Sequence, residues 1–278
     1  MRIARIEGPQ GPELAVVAAD ERTWQRTGVA APGNWLAPGV CERVAAAAAG
    51  MPREPLDPAL LLPPVAARCI VGVGLNYRAH TAEQGKALPE APPLFLKHPR
   101  SLAPPFGTLP LHPASHRLDY EAELGIVIGH PVFDCTPDEA AAAIAGWVVM
   151  QDYTLRDLAR PETLTIAKGG PGMAPIGPWL TTVESIPLAA ASALTITCRV
   201  NGELRQHAGT TDMHIGPAAL VHHVARHLPL GPGDVIATGS PSGSGVGMNP
   251  PRWLAAGDVV ETAITGLGTI RQRVTGPS

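Results

Sequence analysis

Apolar runs broken by glycine and proline dominate the chain, and few stretches carry a helical period. Ile3 and Ile6, then Leu14-Ala15-Val16-Val17, flank the turn-rich Gly8-Pro9-Gln10-Gly11-Pro12, which predicts a hairpin over residues 2–20. Residues 40–49 predict a short helix that ends in an alanine run and Gly50. Pro52, Pro55, Pro58, Pro63 and Pro64 make segment 51–64 an extended linker. That linker closes a small N-terminal domain, residues 1–64, and a body, 65–278, follows. The body opens on the strand Cys69-Ile70-Val71-Gly72-Val73. Further strands are expected over 94–97, 120–128, 146–152, 194–201, 234–238 and 258–265. Two helices have clear signals. One starts at Thr136, with Pro137 in the first helical position and Glu139 completing a capping box, and runs through Ala140–Ala145. The other starts near Pro217 and covers Ala218–Leu228. Many strands and few helices, without regular alternation, argue against a Rossmann fold or a TIM barrel and predict a β-rich α+β body.

Composition narrows the class. The chain has 278 residues, of which 45% are hydrophobic and 16% charged, which fits a folded core and not disorder. A net charge of −3 lacks the footprint of a nucleic-acid binder. No apolar run reaches the length of a membrane span, and Met1–Glu7 does not read as a signal peptide. Cys41, Cys69, Cys135 and Cys198 are far apart and form no CxxC pair, so neither a disulfide framework nor a zinc site is expected, and a reduced cytoplasm is. Lysine is scarce: Lys86, Lys97 and Lys168 stand alone against eighteen arginines.

Candidate chemistry begins at Asp119-Tyr120-Glu121-Ala122-Glu123-Leu124-Gly125. Side chains on a strand alternate faces, so Glu121 and Glu123 share one. Two carboxylates on one face repel, and a hard divalent cation relieves them; a solvated strand face is the plainer alternative. Gly146-Trp147-Val148-Val149-Met150-Gln151-Asp152 is an apolar strand ending in an acid, which is costly to bury unless paired or metal-bound. Asp152 is a third candidate ligand, with a local bridge to Arg156 as the alternative. If 78–84 is helical, His80 and Glu83 face each other, as a general base and its orienting carboxylate would, or as a simple surface pair. Lys168 lies before a glycine-rich loop that does not match a P-loop. Ala237-Thr238-Gly239-Ser240 could offer hydroxyls and amides to an anion or be an ordinary turn. His222, His223 and His227 read as helix surface.

Several short motifs stand in a telling order: Val73-Gly74-Leu75-Asn76-Tyr77 with His80 and Glu83; Leu94-Phe95-Leu96-Lys97; Asp119–Leu124; Asp152 with Arg156-Asp157; Lys168; Gly177-Pro178-Trp179-Leu180; Thr211-Asp212-Met213; and Pro232–Ile236 with Thr238-Gly239-Ser240-Pro241. Over residues 69–275 the chain resembles the fumarylacetoacetate hydrolase family. The resemblance implies a mixed β-sheet roll behind a small β-rich N-terminal domain, and a homodimer. It implies Mg²⁺, Mn²⁺ or Ca²⁺ held by Glu121, Glu123 and Asp152. It implies a water-activating pair, His80 and Glu83, on a lid, a catalytic Lys168, and Arg156, Thr238 and Tyr77 as substrate contacts. The activity implied is hydrolysis of a C–C bond in a 1,3-diketone or 2,4-dioxo acid, through a metal-stabilised enolate. The alternative is a decarboxylase, tautomerase or dehydratase of a 2-oxo acid at the same site. Three positions depart from the family pattern. Ala159 stands where a glutamine is usual, Gly169–Met173 replaces a bulkier loop and so predicts a smaller pocket wall, and Gln151 replaces asparagine. The segment Gly245–Leu254 is similar to members acting on dioxo-deoxy sugar acids.

Overall fold

Alternation along the apolar strands, with both faces hidden, organises the molecule. In the computed structural model, which describes residues 1–277, the strands Ala122–Ile128, Ile144–Gln151 and Ala174–Thr182 pair antiparallel at the centre of a twelve-stranded mixed sheet. Val127, Val148, Met150 and Ile176 point to one side, where they pack with Ile3, Leu14 and Val44. Ile126, Trp147 and Val149 point to the other, toward Ile196, Cys198, Val260 and Ile270 of a second, five-stranded sheet. A strand buried on both faces reads as a continuous apolar run, and Ile144–Gln151 is one. Helices are short and peripheral: Val40–Ala48 covers the first face and Pro217–Ala225 the second. The result is an α+β, strand-rich mixed-sheet fold with few helices.

Most expected elements are present. The hairpin pairs Arg2–Ile6 with Glu13–Val17. The capping box at Thr136 and Glu139 forms, although its helix, Pro137–Ala142, stops three residues short of Ala145 because Ile144 already enters a strand. Residues 51–64 do not hang free. Glu54–Pro55 pairs with Thr23–Ala30, and Leu61–Leu62 pairs with Arg2–Ile6. Arg2 and Ile3 lie opposite Thr181 and Leu180, so the N-terminal strands continue the body's sheet. No helix among the described residues is long and apolar enough to cross a membrane.

The site lies where strands end. Ala122 pairs with Gln151, so the residues just outside that pair, Glu121 and Asp152, are brought to one edge, and the Asp152 amide donates to the Glu121 carbonyl at 2.9 Å. Parallel pairing of Val235–Ala237 with Ile70–Val73 leads the 238–241 loop out past Val73, and Lys97, opposite Ile70 on Leu94–Lys97, reaches Asp152 with its long side chain.

Candidate metal centre and active-site cavity

Three buried carboxylates converge. Glu121, Glu123 and Asp152 each offer an oxygen, and these oxygens lie within 4.8 Å of one another. Glu123 reaches the cluster from one residue inside the strand, and its Oε2 accepts the Gly239 amide at 2.8 Å. The 238–241 loop thus presents its amide to the protein's own carboxylate. Gln151 fixes the other end: its Oε1 accepts the Glu121 amide at 2.8 Å, and its Nε2 donates to Thr262 at 2.6 Å.

Three cations surround the acids. Lys168 ends the helix Leu164–Lys168 and is buried, with Nζ 2.5 Å from both Glu121 Oε2 and Asp152 Oδ2. Lys97 Nζ lies 2.5 Å from Asp152 Oδ1. Arg156 donates from Nη2 to Glu121 Oε1 at 2.6 Å and from Nε to Asp119 Oδ2 at 2.7 Å. Asp152 therefore pairs with the two lysines and not with Arg156. Asp119 also accepts the amides of Gly245 and Val246, so it anchors Arg156 to that loop. Lys97 and Asp119 belong to the site although the sequence pattern assigns them no role. The scarcity of lysine was a usable signal for Lys97.

Electrostatics separates the two glutamates. Burial raises the Glu121 carboxyl, but Arg156 and Lys168 overcome it and hold Glu121 below the ordinary carboxylate range. Burial, then repulsion from Asp152 and Glu121, pushes Glu123 well above that range. Counting formal charges, Asp119, Glu121, Glu123 and Asp152 exceed Lys97, Lys168 and Arg156 by one negative charge. An all-carboxylate donor set with unrelieved repulsion at Glu123 fits a hard divalent cation such as Mg²⁺, Mn²⁺ or Ca²⁺.

His80 and Glu83 lie on the helix Arg78–Glu83, with His80 Nδ1 3.1 Å from Glu83 Oε2. Nε2 lies 2.7 Å from Gln84 Nε2 and 4.0 Å from Glu121 Oε1. An amide donor at Nε2 requires a lone pair there, which assigns the ring proton to Nδ1 and Glu83. Glu83 also accepts the Gly243 amide at 3.1 Å. A Cβ on Gly247 would come within 2.2 Å of its carboxyl carbon, so only glycine allows this approach.

A cavity of about 350 Å³ opens over the carboxylates, and His80, Arg156, Lys168 and Ser240 share its wall. Two expected substrate contacts are off that wall. Tyr77, which caps the helix Arg78–Glu83, and Thr238, which follows the strand Val235–Ala237, are fully buried and do not line the cavity. Burial accordingly pushes the Tyr77 phenol up. Arg156 lines it, but two carboxylates occupy its guanidinium. The expected wall of Gly169–Met173 is also corrected. None of it lines the cavity, since a turn closed by the Met173 amide on the Gly170 carbonyl carries Met173 into the core.

The family model described as "Fumarylacetoacetate (FAA) hydrolase C-terminal" matches residues 69–275. The chain belongs to the fumarylacetoacetate hydrolase family. A 2,4-didehydro-3-deoxy-L-rhamnonate hydrolase of Sphingomonas sp. (strain SKA58) is 36% identical over 208 residues, 74% of this chain and 72% of that protein. The human mitochondrial oxaloacetate tautomerase FAHD2B is 36% identical over 233 residues, 82% of this chain and 74% of that one. The crystal structure of a maleylpyruvate hydrolase from Sphingobium sp. SYK-6 with manganese(II) and pyruvate superposes with a TM-score of 0.79, at 26% identity, over the whole of both chains. Family members similar to this chain are thus hydrolases and tautomerases, and one holds a divalent metal.

Proposed function

We propose that the chain is a divalent-metal-dependent hydrolase of a C–C bond in a 1,3-diketone or 2,4-dioxo acid. The observation that carries this reading is His80, aligned by Glu83 on the cavity wall with Nε2 as the free base, 4.0 Å from a carboxylate of the acid cluster. Glu121, Glu123 and Asp152 would hold Mg²⁺, Mn²⁺ or Ca²⁺, which supplies carbonyl polarisation and charge stabilisation when the C–C bond breaks. His80 Nε2 takes a proton from water once Gln84 yields its place. That water adds hydroxide to the distal carbonyl carbon, and the C–C electron pair leaves to the neighbouring carbon. The proton then returns to that carbon, so the products are a carboxylic acid and a ketone or 2-oxo acid. Glu83 stabilises the imidazolium formed in between. Lys168 contributes a positive charge at the cavity floor, and Arg156 positions Glu121 instead of meeting substrate.

A second reading, keto–enol tautomerisation of a 2-oxo acid, is favoured by the similarity to oxaloacetate tautomerases. His80 would then move a carbon-bound proton. Turnover in H₂¹⁸O separates the two. Hydrolysis places solvent oxygen in a new carboxylate, whereas deuterium exchange beside the carbonyl without C–C cleavage would replace hydrolysis by tautomerisation. His80→Ala is expected to lower kcat by about 10²–10⁴-fold while cation binding, read by calorimetry, persists. We also infer a homodimer, measurable by light scattering, and a cytoplasmic setting, which four free cysteines support.

A further inference from the structure

The helix that carries His80 and Glu83 ends in a way that fixes two further side chains. Gln84 closes it, and Gly85 follows with φ +66°, a left-handed turn that glycine adopts without strain. The Gly85 amide donates to the Ala82 carbonyl at 2.9 Å and the Lys86 amide to the Thr81 carbonyl at 3.1 Å, so the chain folds back on the helix and sets Lys86 beside Gln84. Lys86 Nζ donates to Gln84 Oε1 at 2.8 Å. An ammonium has only protons to offer, so the amide atom it meets is the oxygen, and the atom 2.7 Å from His80 Nε2 is the amide nitrogen. Glu83 stands close by, but its oxygens turn to His80 and to the Gly243 amide.

The amide nitrogen thus stands where a water must stand to lose a proton to His80. A water inserted there donates to Nε2 and accepts from the amide, so neither side chain changes its role. Room exists for the exchange. Gln84 lines the active-site cavity and also an adjoining space of about 570 Å³, into which it can withdraw by the width of a water. Among the described residues Gln84 is the one carboxamide on the active-site wall, and Ala159, where the family pattern has glutamine, offers only a methyl group. Arg156 and Lys168 on the same wall are engaged by Asp119, Glu121 and Asp152.

We propose that Gln84 is a catalytic residue that holds the attacking water against His80, and that Lys86 is a positioning residue that keeps the Gln84 carboxamide in place. This deepens the hydrolase reading and rests on it for the reaction. The water oxygen bonds to the distal carbonyl carbon through a lone pair, and its proton passes to His80 Nε2. The C–C pair leaves to the neighbouring carbon, which takes the proton back. The Gln84 N–H stays on the water oxygen and aims its free lone pair at the carbon. Tautomerisation has no water to hold and no use for Gln84.

The test gives the full chain, loaded with Mg²⁺, 2,4-dioxopentanoate in H₂¹⁸O and, separately, pyruvate in D₂O. Labelled acetate reads hydroxide addition. Deuterium entering the pyruvate methyl group reads proton transfer by His80 without it. Gln84→Leu, and Gln84→Glu, which keeps the shape but has no N–H to give, should each lower kcat for labelled acetate by about 10- to 100-fold, while pyruvate exchange and the calorimetric Kd of pyruvate change by less than about threefold. Lys86→Met should lower kcat by about threefold, Lys86→Arg should restore it, and Lys86→Met should add nothing once residue 84 is leucine. Exchange or binding that falls together with hydrolysis makes Gln84 a support of the fold and overturns the proposal. Full hydrolysis in Gln84→Glu overturns the amide donor, and losses that add in the double variant overturn the Lys86 tether. No labelled acetate from the unsubstituted chain removes the hydrolase reading, and the held water with it. Labelled acetate that both Gln84 variants leave unchanged removes Gln84 alone.

Discussion

Glu121 and Glu123 sit two residues apart and are both buried, yet their carboxyls are shifted in opposite directions. The difference is who stands beside them: Arg156 and Lys168 for one, two carboxylates for the other. Because the folded-state value of Glu123 is raised, its protonated form favours the fold. That contribution is complete below the ordinary glutamate range and is lost as pH climbs through the raised value. A divalent cation replaces the proton as the source of relief. The rise in Tm given by saturating Mg²⁺ should therefore grow from about pH 5 to pH 8, as followed by calorimetry. A rise that shrinks over that interval contradicts the cation site. Glu123→Gln should raise the Tm of the cation-free protein at neutral pH and remove the Mg²⁺ response. At this scale the sequence is informative about the acids, because carboxylates in apolar runs are conspicuous. It is silent on Asp119, whose importance lies in the Gly245 and Val246 amides and an arginine, all distant in the chain.

Elements were legible where pattern and propensity agree. Ile144–Gln151 and the Thr136 cap follow directly from local residues. Ala174–Thr182 does not, because Pro175, Gly177 and Pro178 interrupt it, and only pairing with Ile144–Gln151 and Arg2–Ile6 makes it a strand. Glu121 reaches the site from just outside its strand, so simple alternation gave its side for an incomplete reason. A close approach between two elements also shapes the cavity. The Phe95 ring on Leu94–Lys97 lies over Gly72 on Ile70–Val73, and its centroid is 4.9 Å from Lys168 Nζ. A Cβ at Gly72 would meet that ring at 2.0 Å, so the ring, which lines the cavity, must shift. Gly72→Ala is expected to cost about 1–3 kcal/mol by urea unfolding and to raise KM. Unchanged stability with an unchanged KM would mean the ring moves aside at no cost.

Across the whole molecule, the twelve-stranded sheet runs without interruption from Glu54–Pro55 through the N-terminal hairpin to Leu94–Lys97. The proline-rich 51–64 segment marks a change of composition, but composition cannot reveal a ladder between Arg2 and Thr181, whose partners are far apart in sequence. Calorimetry of the full chain should show one unfolding transition, and removal of residues 1–64 should bare the edge of Ala174–Thr182 and cause aggregation. Two separate transitions would make the N-terminal strands an independent unit. The 243–247 loop, finally, grips two carboxylates with its backbone: Gly243 holds Glu83, while Gly245 and Val246 hold Asp119. Through those carboxylates the His80 ring and the Arg156 guanidinium both hang from one short span of main chain, so any movement that loosens that span frees both together.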